Sequence, residues 1–254
     1  MIQIKDKSVC CGCSACVQIC PKQCISLKED KEGFLYPTVN HAFCVECGKC
    51  EKVCPELHPF EVHEPLKVYA AKHQDDAVRK VSSSGGIFTL LADMVIDEGG
   101  VVFGACFDSD WSVVHDFTET HEGLQAFRGS KYLQSRIGNT YRQAEVFLKA
   151  GRKVLFTGTP CQIAGLKKYL HKDYENLLAV DFVCHGVPSP LVWKKYLEEI
   201  IACQCEKNSV LLHSNPFISE RGSMAGIRKI DAISFRNKNL GWKKYSFALT
   251  LSEV

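Results

Sequence analysis

Apolar residues follow two different patterns along this chain. Up to about residue 60 they come in short clusters, Ile25 and Leu27 and then Phe34, Leu35 and Tyr36, on either side of the charged stretch Lys28-Glu29-Asp30-Lys31-Glu32. That pattern predicts two short strands, Cys24 to Leu27 and Gly33 to Pro37, joined by a turn. From Lys67 onward, apolar runs alternate with segments of helical period, the pattern of an α/β domain. Val68-Tyr69-Ala70-Ala71 is the first predicted strand. A helix over Gly86 to Asp97, N-capped by Ser84 and stopped at Gly99 and Gly100, leads to a strand at Val101 to Ala105. The same logic then repeats, with a helix over Thr140 to Ala150, its stop at Gly151, and a buried strand Val154 to Thr157. A helix from Pro160 to about Leu170, a strand Leu178 to Val183 and a helix Pro190 to Cys203 follow. Ile230 to Arg236 and Trp242 to Leu251 predict a hairpin joined by Asn237 to Gly241.

Of the 254 residues, 46% are hydrophobic, enough for a sizeable core. The formal net charge is only +2, which provides no whole-chain field for nucleic acid or anionic lipid. The opening Met1-Ile2-Gln3-Ile4-Lys5-Asp6-Lys7 lacks the apolar core of a secretory signal, and no stretch reaches the roughly 20 apolar residues of a bilayer span. The expected setting is cytoplasmic, without membrane insertion or a nucleic-acid partner. Fifteen cysteines in a reducing compartment point to metal ligation rather than disulfides.

Ten of those cysteines lie between Cys10 and Cys54, in two blocks offset by 34 positions, Cys10 to Cys44. The first block is Cys10-x2-Cys13-x2-Cys16-x3-Cys20-Pro21 and the second Cys44-x2-Cys47-x2-Cys50-x3-Cys54-Pro55, the spacing of a two-cluster ferredoxin. Three closely spaced thiolates wrap one face of a 4Fe-4S cubane, while the fourth reaches the other cluster. The expected ligand sets are therefore Cys10, Cys13, Cys16 and Cys54 for one cluster and Cys44, Cys47, Cys50 and Cys20 for the other. Zinc also uses Cys-x2-Cys pairs, but it wants two pairs without a third thiolate two residues on. Gly12 and Gly48 let backbone approach the cluster, and Cys11 and Cys24, off the motif, read as spare thiols beside it. The expected fold is an α+β ferredoxin-like two-cluster domain over 1–60, then, past a linker at His58 to Pro65, an α/β region with a mixed, largely parallel sheet. The α/β region divides into an N-terminal part, 66–125, and a C-terminal part, 126–254.

Thr157-Gly158-Thr159-Pro160-Cys161-Gln162 joins a strand to a helix, with Thr159 as N-cap, Pro160 at the first helical position and Gln162 completing a capping box. Its exposed N–H groups suit a cofactor phosphate or reduced flavin and would lower the Cys161 pKa; a plain capped helix with a buried thiol fits the same residues. Together with Ser82-Ser83-Ser84-Gly85-Gly86-Ile87-Phe88-Thr89, Arg128-Gly129-Ser130-Lys131-Tyr132 and Asp181-Phe182-Val183-Cys184-His185-Gly186-Val187-Pro188-Ser189-Pro190, this order of motifs resembles the family of coenzyme F-420 hydrogenase/dehydrogenase beta subunits.

The resemblance implies an FAD-binding α/β domain fed by iron-sulfur clusters: an oxidoreductase linking a ferredoxin or redox-enzyme subunit to a small-molecule substrate, or a non-catalytic electron-transfer subunit of a larger complex. It also implies a chain ending short of the family's usual C-terminus, with an incomplete flavin site. By similarity, Ser83, Ser84, Gly85, Gly86, Gly129, Ser130, Lys131, Thr157, Gly158, Thr159, Pro160, Cys161 and Gln162 line the FAD. Lys131 would balance charge on reduced flavin, or be an ordinary surface lysine. Cys106, Cys161 and Cys184 end predicted parallel strands, as buried free thiols or, with one ligand short, a third cluster. Cys161, His185 and Lys131 are the candidates for chemistry; a satisfied loop histidine is the plainer role for His185. Cys203 and Cys205 look incidental.

Overall fold

The computed structural model describes residues 1–61 and 64–199, together with strand pairing at 232–234 and 248–250. Residues Met1–Val187 form one compact unit and Pro188–Val254 a second.

The first unit begins with the cysteine repeat. Its two blocks fold alike: Ala15–Gln18 (α1) and Lys49–Lys52 (α2) are single helical turns, equivalent under the sequence offset. The loops before them use left-handed backbone at matching places, Gly12 (φ 67°) with Glu46 (φ 51°) and Ser14 (φ 64°) with Gly48 (φ 68°). Left-handed backbone is uncommon outside glycine, so its recurrence at two equivalent positions marks the Cys-x2-Cys-x2-Cys segment as one built shape used twice. Between the blocks, Ile25–Glu29 (β1) and Leu35–Val39 (β2) pair antiparallel, as the apolar clusters predict.

The remainder of this unit is a four-stranded sheet in the order β4-β3-β5-β6, made of Val101–Phe107 (β3), Val113–Thr118 (β4), Val154–Gly158 (β5) and Leu177–Asp181 (β6). β3, β5 and β6 run parallel and β4 antiparallel, so the sheet is mixed and largely parallel. Both faces are covered, which explains the continuous apolar runs. Val102, Cys106 and Leu155 face Ile87–Asp97 (α4) and Leu124–Phe127 (α5) through Ala92, Val95, Leu124 and Phe127. Val101, Phe103, Val154 and Phe156 face Thr140–Lys149 (α6) and Pro160–Leu170 (α7) through Tyr141, Ala144, Leu148, Ile163 and Leu166. Cys13, Ala15 and Val53 of the repeat belong to that second cluster, so the cysteine-bearing segment packs directly on the α6–α7 layer.

Several expectations need correction. Val68 to Ala71 is exposed loop rather than strand: among the described residues no strand pairs with it. α4 is capped by Gly86 (φ 77°), not Ser84, because a short helix, Asp76–Lys80 (α3), and its following turn precede it. β4 was not predicted. β6 ends at Asp181, leaving Phe182 and Val183 57% and 84% exposed, so the apolar run overshoots the ladder.

In the second unit a helix is described over 190–199, and the predicted hairpin pairs Ala232–Ser234 (β7) with Ala248–Thr250 (β8) antiparallel. The joining turn, the continuation of the helix to Cys203, and Cys205 lie outside the described residues.

Candidate functional site

Two cavities lie in the cysteine repeat. Cys10, Cys13, Cys16 and Cys54 line one, along with Gly12, Ser14, Ile2 and Leu27. Cys20, Cys44, Cys47 and Cys50 line the other, along with Gly48, Ile25 and Val39. Of the repeat-motif thiols, each cavity thus draws three from its own block and one from the other; apart from one off-motif cysteine, its remaining wall is largely apolar. Among the described residues no three His, Cys, Asp or Glu side chains converge on a single-ion site. Thiols spread around a cavity suit a group larger than one ion, as a cubane is. Cys50 Sγ accepts a buried hydrogen bond from the Ile2 N–H at 3.2 Å. The Met1 ammonium pairs with Glu51 at 3.1 Å, fixing the chain end over that cavity. The two off-motif thiols sit on the walls: Cys11 on the first cavity, Cys24 on the second, 3.5 Å from Cys20 Sγ.

The repeat is joined to the α/β layer by exchanged caps. Asn139, at the head of α6, makes no side-chain cap, and Gln18 Oε1 replaces it, accepting from the N–H groups of Tyr141 at 3.1 Å and Arg142 at 3.3 Å. In return Arg142 Nε donates to the Gln18 carbonyl, at the end of α1, at 2.8 Å. Helix termini leave such groups without partners, and here each helix satisfies the other's. Gly165 of α7 is a close approach: a Cβ there would stand 3.0 Å from Cys13 Cβ and 3.1 Å from Cys13 Sγ.

The residues singled out for a flavin fall in two groups. Ser83 and Ser130, 47 positions apart, meet where Ser130 N–H donates to Ser83 Oγ at 2.7 Å, so the Ser-Gly and Gly-Ser-Lys loops adjoin. The Thr157 to Gln162 turn has other partners: Thr157 Oγ1 donates to the Phe103 carbonyl at 3.0 Å, and Gln162 Oε1 accepts from Thr159 N–H at 2.9 Å. That second bond makes the predicted capping arm. Thr159 Oγ1 lies 3.1 Å from Cys161 Sγ. Cys161 is not a lowered-pKa thiol: contact with Cys11 first, and burial second, hold it well above the ordinary range. Lys131 is not a surface lysine. Its amine is buried, donating to the carbonyls of Ala126 at 2.6 Å and Arg128 at 3.0 Å, and burial lowers its pKa to about 7 against a raising influence from Cys106. Burial likewise pushes the Cys106 thiol up to about 11. Cys184 and His185 lie on an exposed loop, with Cys184 Sγ accepting from Gly186 N–H at 3.4 Å. Cys106, Cys161 and Cys184 line neither cavity.

His115, on β4, was not anticipated. Its Nε2 is 2.9 Å from the Thr157 carbonyl, which only accepts, so Nε2 carries the proton and Nδ1 accepts from Ser135 Oγ at 2.8 Å. Ser135 Oγ in turn accepts from Gln162 Nε2 at 2.8 Å, which completes a buried chain through β4, β5 and α7. Burial lowers the His115 pKa to about 4, keeping the ring neutral. Its partners lie 20 and 42 residues away, so nothing local in the sequence signals it.

Comparison with known proteins matches three stretches of the chain. The 4Fe-4S dicluster domain matches residues 9–57. The N-terminal domain of the coenzyme F420 hydrogenase/dehydrogenase beta subunit matches 68–140, and its C-terminal domain matches 151–212. The chain is 25% identical over 205 residues to coenzyme F420-dependent sulfite reductase of Methanocaldococcus jannaschii, covering 77% of this chain and 30% of the relative. It is 26% identical over 173 residues to a subunit of the F(420)H(2) dehydrogenase of Methanosarcina mazei, covering 63% of this chain and 48% of the relative. A 7Fe ferredoxin of Hydrogenibacillus schlegelii is 38% identical over 65 residues, 24% of this chain and 77% of that protein. The chain thus spans about a third to a half of the length of the two larger relatives. With a 4Fe-4S dicluster domain followed by both beta-subunit domains, the chain belongs to the family of coenzyme F420 hydrogenase/dehydrogenase beta subunits.

Proposed function

We propose that this chain is an iron-sulfur flavoprotein oxidoreductase that passes electrons between a ferredoxin-like partner, two 4Fe-4S clusters, FAD and an organic substrate. The observation that carries this reading is that four repeat-motif cysteines line each of two cavities, each set borrowing one thiol from the other block. In this reading Cys10, Cys13, Cys16 and Cys54 hold one cluster and Cys20, Cys44, Cys47 and Cys50 the other. Clusters supply one-electron steps, and a flavin exchanges electrons singly or in pairs. The Ile2 N–H would lessen the negative charge on Cys50 sulfur, the kind of contact that tunes a cluster.

For FAD, the adjoining loops at Ser83 to Gly86 and Gly129 to Lys131 are the supporting feature. Arg79 and Arg128, which lead into those loops, each carry a buried Nε with no hydrogen-bond partner among the described residues, a donor that a phosphate would satisfy. Lys131, with its amine buried nearby in sequence, would hold or release a proton near neutral pH.

The test is an iron, sulfide and flavin count on oxygen-free protein after reconstitution with FAD. Iron and sulfide with stoichiometric flavin are expected. Iron without flavin removes the FAD half of the reading, and no iron paramagnetism on reduction removes all of it. A second reading, a non-catalytic electron-transfer subunit of a larger complex, is favoured by the relative in Methanosarcina mazei being named a subunit. Turnover of a small acceptor by the isolated chain would separate the two.

A further inference from the structure

The two cysteine-lined cavities differ in what surrounds them. Cys13, on the first, belongs to the core shared with Phe103, Phe156 and Leu166. Gly12, beside it, approaches the α/β layer so closely that a Cβ there would stand 2.7 Å from Gln134 Nε2. Cys20 and Cys50, on the second cavity, belong instead to an apolar cluster made only of residues from the repeat, with Ile2, Cys24 and Ile25. Of the eight repeat cysteines, Cys47 alone is exposed. The first cavity is therefore the one next to the sheet, and the second reaches the surface at Cys47.

The mouths of the cavities also differ in charge. Val45, on the wall of the second, is 57% exposed, and Phe43, one residue before Cys44, is 66% exposed. Lys22 and Lys49 are exposed on the same wall with Glu46, while Glu51 of α2 is already paired with the Met1 ammonium. The first cavity has exposed apolar residues too, Val9 and Leu57, but its wall carries Glu56 and no lysine. Charge is thus net positive around Cys47 and negative at the first cavity. Exposed apolar side chains among charged ones are the makeup of a transient redox interface, which is small and relies on charge for steering.

We infer that the surface around Cys47, through Phe43, Val45, Lys22 and Lys49, docks a small acidic one-electron carrier protein and is where electrons enter or leave the chain. The inference rests on the cluster reading above and adds a point of entry to it. In the reducing direction the carrier gives up one electron and the group held by Cys20, Cys44, Cys47 and Cys50 takes it, with no bond formed or broken and no proton moved. The set of Cys10, Cys13, Cys16 and Cys54, being next to the sheet, receives that electron second.

The test uses oxygen-free full-length protein whose iron and sulfide are counted first, with an acidic two-cluster ferredoxin as the carrier. Carbodiimide, which joins an amine to a carboxylate in direct contact, should link Lys22 or Lys49 to carboxylates of the ferredoxin, as mapped by mass spectrometry. In stopped flow, electron exchange with the ferredoxin should slow as salt rises. At low salt, the double variant Lys22→Glu, Lys49→Glu should slow it by about tenfold or more. Phe43→Ser should slow it at every salt concentration, while dithionite reduces wild type and both variants at comparable rates. Wild-type exchange in both variants at wild-type iron content would overturn the inference. Slowing by Val9→Ser or Leu57→Ser in their place would do the same, because entry would then lie at the first cavity. So would a dimer in solution that Phe43→Ser turns into monomer, since a second copy would then cover the face. Protein without iron and sulfide would fail the cluster reading itself, and the inference with it, which the initial count identifies.

Discussion

At the scale of single residues, the eight repeat cysteines were legible because their chemistry dictates short, fixed spacing. His115 and Gln18 were not, because their partners lie tens to more than a hundred residues away. His115 has a measurable consequence. Its pKa falls from 6.5 to about 4 on folding, so between those values the folded protein binds fewer protons than the unfolded chain. Stability therefore rises with pH across that window and is lost on acidification, by about 3 kcal/mol in full. His115→Gln should flatten this slope relative to wild type in urea melts at pH 4.5 and 7. Equal slopes would mean that the ring is not held neutral. For Lys131 the sequence left two roles open, a charge partner for flavin or a surface lysine, and only the three-dimensional path of the Arg128 to Lys131 loop put its amine under carbonyls.

At the scale of elements, helices and strands bounded by clear stops were readable: α6 by Gly151, α7 by Thr159 and Pro160, and β5 by its apolar run. β4 escaped because its sequence, Val-Val-His-Asp-Phe-Thr, mixes polar residues into an edge strand. The Val68 to Ala71 segment misled because apolar β-formers need a neighbour to pair with. The contact of α1 with α6 and α7 was invisible in the sequence and yields two predictions. Gln18→Ala should cost about 1–3 kcal/mol, since the Tyr141 and Arg142 N–H groups lose their acceptor. Chemical denaturation reads this directly. Gly165→Ala should destabilise by about 1–3 kcal/mol, against the gain of about 1 kcal/mol that alanine brings to an open helix. Its new Cβ meets Cys13 and Tyr141, and the Tyr141 hydroxyl is tied to the Gln162 carbonyl at 2.8 Å. Thermal unfolding gives the sign, and a stabilised variant would show that the contact yields.

At the scale of the whole molecule, the order of parts was legible because each family motif keeps its own spacing. Their joining was not: Cys13, Ala15 and Val53 share one core with Phe103, Phe156 and Leu166, so the cysteine repeat and the sheet form one compact unit. Damage in the repeat should therefore reach the sheet. Cys13→Ala is expected to lower iron content by about half and to lower the melting temperature of the α6–α7 layer, through loss of both a thiol and core volume. Iron near the wild-type level would refute the assignment of Cys13 as a ligand. The described residues contain no helix long and apolar enough to cross a membrane.

The exchange of the last thiol between blocks also sets a timetable. Cys54 closes the ring that Cys10 opens, and Cys20 closes the ring of Cys44, Cys47 and Cys50. If the rings hold the clusters proposed above, the earlier ring must wait for residue 54 to leave the ribosome, and a nascent chain halted between the blocks would present its motif thiols without the one that completes the set. On the ligand sets proposed above, metallocentre assembly would be a late, single commitment that involves both halves at once.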